Sequence, residues 1–488
     1  MTKSLPVKDL HQELKNKTTT DGWDILVSYS EKQLNQFLKK SWGASNRFTN
    51  VPLKQPLGHG KHAYTQLYNI KFHAPDLNFD TAAGFVYLTM PISGTSRASD
   101  DKPEDAIKIP EGHYSFKVRC QIKGMKGDGS NSQTSGSIFH FDDNAKSSYY
   151  ITFNFDTQNS NWQCLAKDKS DEAMTNELYQ LVTEAQKWFA AHDKLQWIDY
   201  SIAEVSNSSQ SSNSSGSNLL TPSSFVFSCQ PGVLNVFIHT MGGTKGLGNN
   251  PPQFGFEHVQ HVTPVPREYH ATIIISRQLF LQAYLLENIK KLCPSLSKTK
   301  PVQSMTVNNG LKLELRYDKN KVIKCKDFRS HAFDQIFEKL NVDMDKHPLV
   351  LTVEDDADDL TPKASWKWDL SGQVTYTYYP HVGRAPIPME YHVNVNATIK
   401  NHKTDFAQIS GNTINTSVRF GTDNQPTVSS DHENITGLIN FQLDTFDLHM
   451  PQLNFFRTQN IFAPGKQMIN VKKLMLPYDL VMVGDIAV

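Results

Sequence analysis

Three stretches of the sequence hold residue types that could do chemistry. Gly242-Gly243-Thr244-Lys245-Gly246-Leu247-Gly248 could cradle phosphate oxygens on successive glycine amides. Its spacing is not that of a G-x-x-x-x-G-K-[ST] loop, and no strand and good helix frame it, so it reads as a hairpin loop. Glu354-Asp355-Asp356-Ala357-Asp358-Asp359 packs five carboxylates into six residues, as a calcium site would. It has neither the turn glycine nor the downstream glutamate of an EF-hand, so a solvated acidic loop is the reading. Glu257 and His258, with His261 and His270, could offer imidazole nitrogens to zinc. Their order is neither H-E-x-x-H nor H-x-x-E-H, which leaves half-exposed strand histidines. No G-x-S-x-G elbow occurs, and Cys120, Cys164, Cys229, Cys293 and Cys325 show no C-x-x-C spacing and no flanking catalytic signature. The expectation is therefore a chain that is not an enzyme, with no metal, no cofactor and no catalytic residue.

The composition narrows the class further. Lys plus Arg number 49 and Asp plus Glu number 49, so no bulk positive charge is available to drive nucleic-acid binding. With 27 Phe, 17 Tyr and 7 Trp in 488 residues, the chain is too aromatic to stay disordered. The opening Met1-Thr2-Lys3-Ser4-Leu5-Pro6 lacks the apolar run of a secretory signal, and no stretch of about 18 apolar residues occurs. A cytoplasmic location without a transmembrane segment is expected, with export only by a non-classical route.

Two strand-cap-helix phrases stand out. Trp23 to Tyr29 is β-rich and runs into Ser30, a capping residue with Gln33 three positions on, before Leu34, Phe37 and Leu38 at helical spacing. Ala271 to Ile275 runs in the same way into Ser276 and a helix carrying Leu279, Phe280, Ala283, Leu286 and Ile289. Setting Ser30 on Ser276 spaces the two by 246 residues (276 − 30), which reads either as an internal duplication or as a chance recurrence of a common strand-cap-helix phrase.

Between and after them the pattern has period two. Tyr114, Phe116, Val118, Cys120 and Ile122 alternate with polar residues, as do Ile151, Phe153 and Phe155. The habit returns at Leu311 to Tyr317, Trp366 to Leu370, Val374 to Tyr378 and Tyr391 to Val395. Such strands bury one face and wet the other, as antiparallel sheets do. One long helix is expected from about Asp171 to His192, with Met174, Leu178, Leu181, Val182, Ala185, Trp188 and Phe189 in a stripe that reads first as core packing against a sheet and second as a wall of an apolar cavity. Ser206 to Asn218 is a low-complexity polar tract and reads as a flexible loop.

Thr20-Asp21-Gly22-Trp23-Asp24-Ile25 with the helix that follows, the closing run Leu453 to Lys466, and Leu476-Pro477-Tyr478-Asp479 on to Ile486 resemble the OrfX/P-47-type accessory proteins encoded in clostridial neurotoxin gene clusters. The two ends carry the specific likeness, and the serine tract and Gly/Asn-rich loops depart from it. The resemblance implies the tubular lipid-binding (TULIP) superfamily. The fold class expected is α+β, an elongated TULIP-like architecture with strongly curved antiparallel sheets wrapped around long amphipathic helices. The expected division is a polar leader at 1–20, one module at 21–265 containing the Ser-rich loop 206–218, and a second at 266–488 whose segment 441–488 is a candidate for packing back on the first.

The resemblance also implies non-enzymatic binding of a lipid, another hydrophobic small molecule or a lipid surface, in an accessory component of a toxin complex. The residues expected to line the ligand are Met174, Leu178, Leu181, Ala185 and Phe189 on the long helix and Leu279, Ala283 and Leu286 on the later one. The alternative is an assembly scaffold that contacts protein partners in a complex and holds no ligand. A hydrolase without recognisable motifs stands third.

Overall fold

Alternating apolar and polar residues make antiparallel strands wherever the apolar set can be buried on one side, and strands of this chain such as Val51–Leu57, Tyr64–Phe72 and Phe85–Ala98 show that burial pattern. The computed structural model describes residues 3–43, 49–80, 84–128, 130, 133–134, 136–141, 147–155, 160–167, 172–191, 201–207, 221–243, 248–254, 262–281, 301–307, 310–315, 328–330, 335–342, 349–360, 362–378, 381–382, 385–386, 389–400, 404–405, 415–422, 425–428 and 469–486. The chain is mostly β, with three α-helices among the described residues. It divides into two compact units: Met1–Leu279 with Pro451–Lys473 and Val481–Val488, and Phe280–Met450 with Leu474–Leu480.

In chain order the first unit holds α1 (Val7–Leu14), β1 (Ile25–Ser30), α2 (Glu31–Gly43), β2 (Val51–Leu57), β3 (Tyr64–Phe72), β4 (Asp76–Phe79), β5 (Phe85–Ala98) and β6 (Ile107–Lys126). There follow β7 (Gln133–Thr134), β8 (Phe139–His140), β9 (Ser148–Asn154), β10 (Ser160–Ala166), α3 (Glu172–Ala191), β11 (Ala203–Ser206), β12 (Pro222–Gln230), β13 (Val233–Thr240) and β14 (Ala271–Ile275). The expected long helix is thus α3. Ser206 ends β11 and is buried, Asn207 follows it, and residues 208–218 of the serine tract lie outside the described residues.

The second unit is built on β15 (Pro301–Val307), β16 (Gly310–Leu315), β17 (Phe328–Ser330), β18 (Gln335–Val342), β19 (Leu349–Asp355), β20 (Pro362–Tyr378), β21 (His381–Val382), β22 (Ala385–Pro386), β23 (Met389–Lys400), β24 (Thr404–Asp405), β25 (Asn415–Thr422) and β26 (Gln425–Val428). Ten of these strands form one antiparallel sheet along β15-β16-β19-β20-β23-β25-β26, with β17, β18 and β24 attached to it. The last strands are β27 (Ile469–Met475) and β28 (Leu480–Ile486).

Two sheets organise the first unit. The nine-stranded one runs β11-β9-β6-β5-β3-β2, with β10 and β7 on β6 and β4 on β5, and it curls as a half-barrel. Its inner face buries Tyr114, Phe116, Val118, Cys120 and Ile122 of β6 and Val86, Leu88, Met90 and Ile92 of β5. Its outer face is polar: Arg119 lies over the Phe85 ring at 4.0 Å and donates from Nε to Asp80 at 2.8 Å, and Lys117 lies over Tyr87 at 4.6 Å. Edge strand β2 carries Pro52 and Pro56, which cannot donate to a further strand.

The seven-stranded sheet has the order β27-β28-β14-β1-β13-β12-β8. Every residue of β13 and β14 is buried, as are Ile25 to Tyr29 of β1, so both faces of its centre are covered. β1 and β14 pair antiparallel with Val27 opposite Ile273, and those two residues are themselves 246 apart. The pairing therefore has a local two-fold axis at its middle.

Both helix caps expected from sequence are present. The Gln33 N–H donates to Ser30 Oγ and the Leu279 N–H to Ser276 Oγ, each at 3.3 Å. These bonds satisfy one otherwise orphaned amide at each helix start.

Candidate functional site

The apolar spacing of α3 gives it one continuous stripe, and the stripe decides where the helix lies. It rests on β10 and β2, on the inner side of the nine-stranded sheet. Leu178, Leu181 and Ala185 are fully buried, Phe189 is 2% exposed, and Tyr179 on the opposite side is 62% exposed. Phe189 is the centre of an aromatic cluster: Phe72 of β3 meets it edge-on at 5.1 Å, Phe155 at 5.0 Å and Trp162 of β10 at 5.2 Å. Phe116 extends that floor, with its ring 6.0 Å from Phe72 and 6.4 Å from Trp162.

Polar contacts hold the seam in register. Gln186 Nε2 donates to the Ser160 carbonyl at 3.2 Å, and Trp162 Nε1 donates to Ser160 Oγ at 3.1 Å. Beside it α2 is fastened by Asn35, whose side chain exchanges two hydrogen bonds with the backbone of Leu77, and by Trp42, whose indole donates to the Phe72 carbonyl at 3.0 Å. Among the described residues the seam is lined by apolar and aromatic side chains.

Of the residues expected to line a ligand, Leu178, Leu181, Ala185 and Phe189 come together on this seam. Leu279 is buried in the capped turn after β14. The side chain of Met174, and Ala283 and Leu286 altogether, lie outside the described residues. Sequence reasoning placed Phe116 and Phe155 on strands but did not see that they, with Phe72 and Trp162, form the floor beneath α3. Alternation gives the face of a strand but not which helix will cover it.

The stretches with chemical potential resolve differently. In the glycine-rich loop, a Cβ at Gly243 would collide with the Asp24 carboxylate and one at Gly248 with the Trp23 indole. These glycines are needed for close approach of the chain to itself. Trp23 Nε1 donates to the Asn249 carbonyl at 2.9 Å and stacks on the His239 ring at 4.1 Å. Asp24 accepts the Thr240 N–H at 2.8 Å and lies 3.3 Å from His239 Nδ1. In the acidic run Asp355 is buried and both its oxygens take the Leu476 N–H at 2.9 Å, whereas residues 357–359 are exposed. Asp355 thus departs from the expected solvated loop because its carboxylate supplies the acceptor that a buried amide needs.

Glu257, His258 and His261 lie outside the described residues, and His270 contacts Asp485. Among the described residues no group of three or more His, Cys, Asp or Glu is placed to hold a metal ion. Burial pushes the Cys164 thiol up to about 11 and those of Cys120 and Cys229 further still, away from thiolate nucleophiles. Among the described residues no helix is long and apolar enough to cross a membrane.

What these elements define is a mostly β chain in which an antiparallel half-barrel is lined by an amphipathic helix. No family model and no curated protein matches it. Among solved structures it is similar to P47 from Clostridium botulinum A2, at 12% identity over 97% of this chain and 99% of that one, with a TM-score of 0.49. It is similar also to P47 of Clostridium botulinum E1, at 12% over 96% and 100% with a TM-score of 0.47. A lipopolysaccharide binding protein aligns at 9% identity over 96% and 99%, with a TM-score of 0.27. No ligand or partner passes to this chain from these similarities.

Proposed function

We propose that this chain binds a lipid or another apolar ligand, without catalysis, along the seam between α3 and the nine-stranded sheet. The observation that carries this is the division of that sheet's two faces. The outer face is polar and cation-bearing, while the inner one is apolar and roofed by a 20-residue helix whose buried stripe is Leu178, Leu181, Ala185 and Phe189 over an aromatic floor. An acyl chain entering such a seam gains about 0.8 kcal/mol per buried methylene, so a few methylenes offset the cost of ordering it. Met174, on the same helix, is proposed to extend the lining, and Leu279, Ala283 and Leu286 are proposed as apolar ligand contacts in their own right. With a formal net charge of zero, headgroup attraction is not expected to dominate.

The test is mass spectrometry of solvent extracts from the purified protein, with co-sedimentation on neutral and on anionic liposomes. A co-purified lipid or bound liposomes are the expected result. With neither, the reading fails and an assembly scaffold that contacts protein partners takes its place.

A further inference from the structure

The spacing of 246 residues that relates Ser30 to Ser276 extends well beyond the caps. It carries β12 (Pro222–Gln230) onto β27 (Ile469–Met475) and β13 (Val233–Thr240) onto β28 (Leu480–Ile486), to within a residue at most ends. Pro231, between the first two strands, falls on Pro477, between the second two. In the sheet the equivalent strands stand symmetrically, with β13 and β12 outside β1 on one side and β28 and β27 outside β14 on the other.

The same spacing carries Asp24 onto His270 and His239 onto Asp485. In one half the acid precedes the inner strand and the imidazole sits on the outer strand, with His239 Nδ1 and Asp24 Oδ2 3.3 Å apart. In the other half the imidazole is inner and the acid outer, with His270 Nδ1 and Asp485 Oδ1 2.9 Å apart in an ion-pair contact that lacks hydrogen-bond alignment. We propose that these are two copies of one acid–imidazole clasp with its partners exchanged. Each fastens an outer hairpin to an inner strand, β12–β13 to β1 and β27–β28 to β14.

The physical case is that a pair keeps its attraction when acid and base trade places, whereas a single change does not. An Asp at 239 would set two carboxylates against each other with side chains 1% and 8% exposed, and a His at 24 would set two imidazoles there. A buried polar group that loses its partner costs more than the pair contributes net, so the unit that matters is the pair. The surroundings of the two copies differ. Asp24 also accepts the Thr240 N–H and His239 stacks on Trp23, while His270 and Asp485 are 32% and 39% exposed.

The test is a pair of charge-exchange cycles on the full chain, read by melting temperature. At the exposed copy the variants are His270→Asp, Asp485→His and both together. At the buried copy they are Asp24→His, His239→Asp and both together. Each single change is expected to lower the melting temperature, by a few degrees at the exposed copy and more at the buried one. The double exchange should recover most of the loss at His270/Asp485. It should recover a smaller share at Asp24/His239, where the Thr240 bond and the Trp23 stack are lost as well. Should the buried single variants fail to fold, the exposed cycle decides alone. A double variant whose loss equals the summed losses of its singles overturns the proposal.

Discussion

The Ser30 amide donates to the His270 carbonyl at 2.9 Å, and the Ser276 amide donates to the Asp24 carbonyl at 2.8 Å, so each capping serine is tied to the residue that occupies the other's place six positions upstream. Because 30 and 276, like 24 and 270, differ by 246, the two bonds are images of each other across the Val27–Ile273 pair. Each serine thus ends a strand, bonds across to the neighbouring strand, and caps the helix that follows.

Since both hydroxyls accept an N3 amide at the same 3.3 Å, Ser30→Ala and Ser276→Ala should each cost about 1 kcal/mol, the ordinary value of a lost N-cap. Urea unfolding of the two variants checks this. Equal and additive losses are expected, and no loss in either would mean that the caps bear no stability.

Phe189 sits at the meeting point of Phe72, Phe155 and Trp162, and its removal opens a hole that those rings cannot close without leaving their own strands. Phe189→Ala should cost about 3–5 kcal/mol. Tyr179→Ala, on the exposed side of α3, should stay within about 0.5 kcal/mol of the parent. Chemical denaturation distinguishes them, and comparable losses would mean that α3 does not face the sheet as described.

Much of this was legible in the sequence where one period governed one element. The strand-cap-helix phrase at Ser30 and the α3 stripe both appear where period and cap put them. The runs Trp366 to Leu370 and Val374 to Tyr378 read as two, and they form the single strand β20. Their alternation keeps phase through Gly372, which pairs with Val342 and Val395, so continuity was encoded in phase rather than in composition. What sequence could not supply was partnership at a distance. The leader forms α1, which buries Val7, Leu10 and Leu14, and the Val7 N–H donates to a Glu268 carboxylate oxygen at 3.1 Å. The Asp24–His239 contact is equally remote in sequence, and no local pattern announces either.

Gly243 and Gly248 are required by the chain's close approach to Asp24 and Trp23, so Gly243→Ala and Gly248→Ala should each cost about 1–3 kcal/mol through overpacking. Thermal unfolding and near-ultraviolet circular dichroism of the Trp23 environment would show it. A neutral result would mean that the loop can lift away from Asp24 and Trp23 without loss.

Both carboxylate oxygens of Asp355 accept from the Leu476 amide, so the residue has a structural role apart from any ion. Asp355→Ala should cost about 1–3 kcal/mol by leaving that buried amide unpaired. Addition of a calcium chelator to the parent protein should leave its melting temperature unchanged. A drop that calcium restores would reassign the acidic run.

Glu204, on β11 beside Tyr150, is 3% exposed with neither carboxylate oxygen in a hydrogen bond of good geometry among the described residues, and burial raises its pKa above the ordinary 4.5, with nearby Ser148 and Tyr150 pulling only partly the other way. The sign follows from proton counting. Between the unfolded and the raised folded pKa the native state holds the proton that the unfolded chain has already released, so stability falls as pH climbs through that window. Below about 4.5 both states are protonated and the penalty vanishes. Above the folded pKa the penalty is present in full, because a charged carboxylate is then held away from water. Glu204→Gln keeps the shape without the charge. It should raise the melting temperature at neutral pH, change it little near pH 4, and flatten the pH profile between. A variant that is less stable than the parent at neutral pH would show instead that the Glu204 carboxylate is paired strongly enough to offset its burial.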